Sequence, residues 1–174
     1  MKLRRVRLDG FGALRGEFAF DPNRVTLIVD DNERGKSTLL AAIAAGLYGL
    51  EDDRRSHRNV TPRDRWRPWD GGTYRVELEL ESYGRVLTVK RDFERDTIEV
   101  WDDRGAEVTT EFREGKDRFP VGLKLLGLDG EEFARCAMIA QGEVARVIPA
   151  DARERGASSL RARLENAADS KLGD

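Results

Sequence analysis

With 174 residues, 39% of them hydrophobic and 37% charged, at a formal net charge of −2, the chain suits one soluble domain whose balanced surface exerts no general attraction on nucleic acid. Cys136 is the sole cysteine, which excludes an internal disulfide and a cysteine-ligated zinc cluster. No apolar run reaches the ~20 residues of a membrane span, and Met1-Lys2-Leu3-Arg4-Arg5 lacks the apolar stretch of a signal peptide, so a cytoplasmic protein with no membrane partner is expected.

In chain order, Leu3 to Leu8 reads as a short strand. The polar turn Asp21-Pro22-Asn23-Arg24 leads into Val25-Thr26-Leu27-Ile28-Val29, β-branched and almost wholly apolar, which predicts a strand buried on both faces of a parallel sheet. After a glycine-containing loop, Ser37 to Leu50 is apolar around nearly its whole circumference and rich in alanine and leucine, predicting a buried helix that approaches a sheet closely. Glu51 to Gly72 is a polar, arginine-dense loop. Thr73 to Glu81 then alternates, with Tyr74, Val76, Leu78 and Leu80 on one face and Arg75, Glu77 and Glu79 on the other. With Arg85 to Phe93 and Thr97 to Trp101 it predicts a three-strand antiparallel meander. Helical signals return after Pro120. Asp129 and Glu132 have capping-box spacing and open a helix through Phe133, Ala137 and Met138. In 151–168, Leu160, Leu164 and Ala167 recur at helical spacing, a stripe too short to establish a coiled coil. No internal repeat is present, and Lys171-Leu172-Gly173-Asp174 brings no terminating element, which reads as a truncation.

The chemistry is carried by Gly35-Lys36-Ser37-Thr38, between the buried strand and the buried helix. In the pattern Gly-x4-Gly-Lys-Ser/Thr, backbone N–H groups of the loop and first helical turn wrap a β-phosphate. Lysine reaches the β- and γ-oxygens and the next hydroxyl ligates magnesium. Lys36 and Ser37 fill these roles, and Gly35 lets the backbone approach the phosphate without a Cβ in the way. The first glycine of the pattern is replaced by Asp30. Gly-Lys-Ser also occurs in ordinary surface turns, and the strand before and helix after supply the context that favours a nucleotide site.

Asp31-Asn32-Glu33-Arg34-Gly35-Lys36-Ser37-Thr38-Leu39 resembles the Pro-Asn-Glu-Ala-Gly-Lys-Ser-Thr-Leu loop of SMC-like head ATPases, which include RecF, RecN, SbcC-type and YhaN-type proteins. Leu8-Asp9-Gly10-Phe11-Gly12 is similar to the first strand and turn of those heads. Trp66-Arg67-Pro68-Trp69-Asp70-Gly71-Gly72 resembles the YhaN-like branch. The stretch from Leu126 to Phe133, then Ala140-Gln141-Gly142-Glu143, resembles the approach to the family's Q-loop. The resemblance implies ATP and Mg²⁺ as ligands, with 31–38 binding nucleotide, Ser37 and Gln141 contacting the metal, and Gln141 taking a catalytic role beside the attacking water. It implies an α/β fold of the P-loop NTPase, ABC/SMC head type: the N-terminal lobe over 1–150 with its antiparallel β meander, then the start of a helical or coiled-coil arm over 151–174. No Walker B strand or Leu-Ser-Gly-Gly stretch is present. Val147-Ile148-Pro149-Ala150-Asp151 fails as the former because proline interrupts a central strand. In the family those elements lie in a C-terminal lobe of the same protein. A homodimer of heads around ATP, DNA, a possible nuclease partner, and work in double-strand-break repair or chromosome maintenance are likewise implied by resemblance.

Arg54, Arg55, Arg58, Arg63, Arg65 and Arg67, around the sole histidine His57, read equally as contacts to nucleotide or DNA phosphates and as a solvated loop offset by Asp52, Asp53 and Asp64. Trp66 and Trp69 read as pins for that loop in preference to stacking platforms, and Cys136 as a small core residue. Two rival functions remain: a small-molecule P-loop kinase, and a nucleotide-insensitive interaction module whose loop has decayed at Asp30.

Overall fold

The computed structural model describes residues 1–50, 60–116 and 118–138. Its centre is a five-stranded sheet in the order β2-β1-β3-β4-β5, antiparallel throughout. The strands are β1 (Lys2–Phe11), β2 (Leu14–Ala19), β3 (Arg75–Ser82), β4 (Arg85–Asp92) and β5 (Thr97–Asp102). The expected meander is β3-β4-β5. To it the chain adds an N-terminal hairpin, β1 pairing with β3 through Val6↔Leu78 and Leu8↔Val76.

Alternation fixes which face is buried. Val6, Leu78, Val89 and Val100 stand opposite one another across four strands and are wholly inaccessible. A one-residue slip in any strand would turn that row outward. The other face carries charge in matched rows: Arg5 meets Glu17, Glu77 and Glu79 at 3.2, 3.2 and 3.3 Å. These part-exposed pairs contribute little stability singly, and they fix strand order against like-charge juxtaposition.

Helix α1 (Lys36–Tyr48) lies on the apolar face, burying Leu39, Ala42, Ala45, Gly46 and Leu47. At Gly46 the approach is so close that a Cβ would stand 2.5 Å from Leu78 Cδ1. Among the described residues the other α-helices are α2 (Pro62–Arg65), α3 (Val121–Leu126) and α4 (Gly130–Cys136). The capping box expected at Asp129 and Glu132 is formed, the Asp129 carboxylate accepting from Glu132 N–H at 2.8 Å and the Glu132 carboxylate from Asp129 N–H at 3.0 Å. Tyr48, the last residue of α1, locks this layer together. Its ring packs tilted against Phe133, the centroids 5.3 Å apart, and its hydroxyl donates to Leu128 O at 3.0 Å. Burial, then the nearby carboxylates of Asp129 and Glu132, push that phenol up to about 12.

Several expectations are corrected. Val25–Val29 forms no strand, and Val25, Leu27 and Val29 are 97, 83 and 81% exposed. The parallel sheet expected to carry the phosphate loop is therefore not formed among the described residues. A strand buried on both faces needs packed layers over both, and every strand described here belongs to one antiparallel sheet. Cys136, expected in the core, is exposed, because only Phe133 on the short α4 turns inward. Of the two tryptophans, Trp66 pins its loop by stacking on Phe11 at 5.5 Å, whereas Trp69 is 88% exposed. The hairpin strand β2 and the short α2 stand where the sequence reading had no element.

Candidate nucleotide-binding site

The loop before α1 holds two left-handed residues. Glu33 has φ 66° and Gly35, the residue preceding the helix, φ 89° and ψ 13°. An L side chain at the second position is disfavoured by backbone conformation and also by space, since a Cβ at Gly35 would lie 2.6 Å from Leu14 Cδ2. The glycine is thus demanded twice, once by φ and once by the hairpin seated against it.

The helix that follows starts bare. No side chain caps its N-terminus and its first turn contains no acidic residue. The first amides of a 13-residue helix are left directed out of its end, where their partial positive charge favours an anion. Among the α-helices described, α2 and α4 are closed by Thr61 and Asp129 side chains, which accept from Asp64 N–H and Glu132 N–H. An oxygen-rich ligand fits the open start of α1 in the place of such a cap.

Lys36 folds back over the loop. Its ammonium donates to Asp30 O and Asp31 O, both at 2.6 Å. The lysine charge therefore sits over the loop whose amides and glycine have just been described. Asp30 turns its carboxylate onto the Asp31 amide at 2.9 Å. The residue standing where the pattern has glycine thus uses one of the loop's own donors. Ser37 is exposed and Thr38 half-buried on the first turn. Among the described residues there is no cluster of His, Cys, Asp or Glu able to hold a metal. Magnesium here fits the hydroxyl of Ser37, with phosphate oxygens and water as further ligands.

The N-terminal hairpin holds the loop in place. Gly12 N donates to Trp66 O at 2.6 Å, and a Cβ at Gly12 would meet Thr38 Cγ2 at 3.3 Å. Trp66 is enclosed by Phe11 on one side and by the Arg65 guanidinium, 5.1 Å from the ring centroid. Sequence reasoning did not see that Leu14, Gly12 and Trp66 support the site, because these contacts join segments far apart in the chain. The signal for α2 was legible: Thr61-Pro62 followed by Asp64 is an N-cap, a proline in the first turn and an acidic first-turn residue.

The arginines of 60–67 are structural. Arg63 donates to Phe93 O at 2.9 Å and pairs with Asp96, Arg67 pairs with Glu94 at 2.7 Å, and Arg65 covers Trp66. Of the expected site residues the structure brings Asp31, Asn32, Glu33, Arg34, Gly35, Lys36, Ser37 and Thr38 together in one loop and helix turn. Gln141, Glu143, His57, Arg54, Arg55, Arg58 and the arm expected over 151–174 lie outside the described residues.

An antiparallel sheet with helices on its apolar face fits an α/β P-loop ATPase, and comparison with known proteins agrees. Residues 5–171 match the family model AAA_23, described as an AAA domain, and the chain belongs to that family of SMC-like head ATPases. It is 22% identical over 161 residues to a protein of Thermoplasma volcanium named DNA double-strand break repair Rad50 ATPase, covering 89% of this chain and 17% of the relative. A protein of the same name from Methanococcus maripaludis is 24% identical over 159 residues, covering 89% and 15%. The chain thus spans about one-sixth of the length of these curated relatives. No helix among the described residues is long and apolar enough to cross a membrane.

Proposed function

We propose that this chain is the ATP- and Mg²⁺-binding first lobe of an SMC-like ATPase head, over 1–150, with an arm beginning within 151–174. The observation that carries the reading is the left-handed Gly35 opening into an uncapped helix whose first residue, Lys36, lies over the loop. The amides of 31–38 receive phosphate oxygens, Lys36 exchanges its carbonyl partners for the β- and γ-phosphates, and Ser37 ligates the metal. Magnesium, when bound, neutralises charge on the transferring phosphate. Gln141 is assigned to the metal and the attacking water on family analogy.

Hydrolysis needs more than this chain. No Walker B carboxylate is found in the sequence, and the exposed Val25–Val29 run supports pairing with strands of a C-terminal lobe. Two heads of this kind would enclose ATP between them. A role in DNA double-strand-break repair, with DNA and a nuclease as partners, is supported by the names of the relatives at 22 and 24% identity. The small-molecule kinase reading loses ground to the family membership.

Lys36→Ala tests the assignment. Titration with a fluorescent ATP analogue and magnesium is expected to show binding by the wild type and none by the variant, with an unchanged circular dichroism spectrum. Equal affinities would sink the phosphate-loop reading and leave a nucleotide-insensitive module.

A further inference from the structure

At the opposite end of α1 from the phosphate loop, a cavity of about 560 Å³ opens between the helix end, the β4–β5 hairpin and the segment before α3. That size suits a small molecule. Two guanidinium groups line it, Arg91 and Arg118. Arg91 reaches in from β4 on the apolar side of the sheet. Its Nε donates to Gly46 O at 2.8 Å, and its Nη2 to Leu47 O and Phe119 O at 3.3 and 2.9 Å. Every acceptor is a neutral carbonyl, and Nη1 has no acceptor among the described residues. Among the described residues this largely buried cation has no carboxylate within ion-pair distance, an arrangement that ordinarily costs free energy unless a counter-charge is supplied. Burial alone brings this guanidinium down to about 10, with Asp96 opposing the shift.

Asp96 acts on Arg91 from beyond ion-pair distance, and both acidic residues of the cavity are engaged elsewhere. Asp92 is engaged by Arg75 at 2.9 Å and Asp96 by Arg63 at 3.1 Å. Arg118, exposed at the rim, has no carboxylate within ion-pair distance among the described residues. The C-terminal end of α1 contributes roughly half a negative charge, and with both carboxylates held in ion pairs the described residues leave the cavity positive. Beside Tyr48 and Thr97, apolar wall comes from Phe93, Ile98, Phe119 and Pro120. From this we infer that the cavity is a second binding site, separate from the phosphate loop, for a small organic anion whose carboxylate or phosphate group meets Arg91 Nη1 and Arg118 while its apolar body rests on the aromatic and aliphatic walls. A planar guanidinium fork suits such an oxyanion better than any other ligand group.

Phenyl phosphate, which joins an oxyanion to an apolar ring, is the probe. Calorimetry on the Lys36→Ala chain keeps the phosphate loop out of the measurement, and the outcome does not depend on whether that loop binds ATP. Saturable one-to-one binding near 1 mM is expected, on the order of what a ligand of this size attains. Arg118→Glu, made in the same background at an exposed position that the fold does not need, should weaken binding at least tenfold. Absence of saturable binding up to about 10 mM, or equal binding by the Arg118→Glu chain, would overturn the inference. Equal binding of the cation phenethylamine would do the same, since it would reveal an apolar hollow without charge selection.

Discussion

Gly35→Ala puts the geometry of the phosphate loop to a quantitative test. Two costs arise in the structure. At φ 89° and ψ 13° an alanine sits in the left-handed region, at about 1–2 kcal/mol. Its methyl would also lie 2.6, 2.8 and 3.0 Å from Leu14 Cδ2, Cγ and Cδ1. Leu14 is half-buried, so its side chain must rotate or the hairpin must shift, at roughly 1 kcal/mol more. The total of about 2–3 kcal/mol can be distributed in two ways. If the loop keeps its shape, the cost appears in unfolding. If the loop rearranges, stability is spared and the cost falls on nucleotide affinity, ten- to a hundredfold. The sum of the two losses is therefore the predicted quantity. Urea unfolding gives the first and ATP–magnesium titration the second. Leu14→Ala in the same chain separates the causes: combined with Gly35→Ala it should recover the steric part, a coupling of about 1 kcal/mol, and leave the backbone part. A variant that loses less than about 0.5 kcal/mol in the two measurements together would refute the reasoning, because it would mean that the loop does not need this glycine.

Asp30→Gly should tighten ATP binding several-fold, roughly 1 kcal/mol, since it removes a carboxylate beside a polyanion and frees the Asp31 amide it now holds. Titration at low and high salt checks this; the gain should shrink as salt rises, and weaker binding at every salt concentration would make Asp30 a structural part of the loop. Tyr48→Phe should cost about 1 kcal/mol at neutral pH through the lost hydrogen bond to Leu128 O. Because the folded phenol is raised to about 12, it keeps its proton above pH ~10 where the unfolded chain loses it. Its stabilisation is present below pH ~10 and falls as pH rises towards 12, so urea unfolding at pH 9, 10 and 11 should show the two proteins converging. Finally, the chain alone should release phosphate from ATP orders of magnitude more slowly than a complete head, the missing transition-state contacts costing several kcal/mol. Turnover near ~1 per second that is abolished by Lys36→Ala would mean that the catalytic set is complete here.

Legibility in the sequence followed the range of the interactions concerned. The meander was readable because alternation at Tyr74, Val76, Leu78 and Leu80 is a local pattern tied to a local geometry. The capping box at Asp129 and the buried helix after Lys36 were readable for the same reason. β2 was not, because Leu14–Ala19 is interrupted by Arg15, Gly16 and Glu17, and only Leu14 and Phe18 pack against the core. The pairing of β1 with β3 joins residues about seventy positions apart, and no local pattern announces it. At the site, the loop residues were legible as a motif. Their support by Leu14, Gly12 and Trp66 was not, since steric seating leaves no spacing signature. Val25–Val29 was misjudged in the opposite sense. Its composition describes a doubly buried strand, and the described residues offer it nothing to be buried against.

That last mismatch bears on how the proposed head would work. Burying an exposed valine, leucine or isoleucine stabilises by about 1.5–3 kcal/mol each, and Val25, Leu27 and Val29 are nearly bare. The run ends at Asp30, where the loop that Lys36 closes begins. A loop anchored at its helix end but free at its strand end samples shapes other than the one whose amides converge, and its affinity for phosphate is reduced by the fraction of time spent in them. Strands docking on Val25–Val29 would remove that freedom, so docking and nucleotide binding must favour one another by the same factor. In the proposed head a second lobe would then do more than complete the catalytic set: it would stiffen the phosphate loop before any chemistry began. ATP would in turn strengthen the hold of one lobe on the other, so that such a head would be fully assembled only when nucleotide is present.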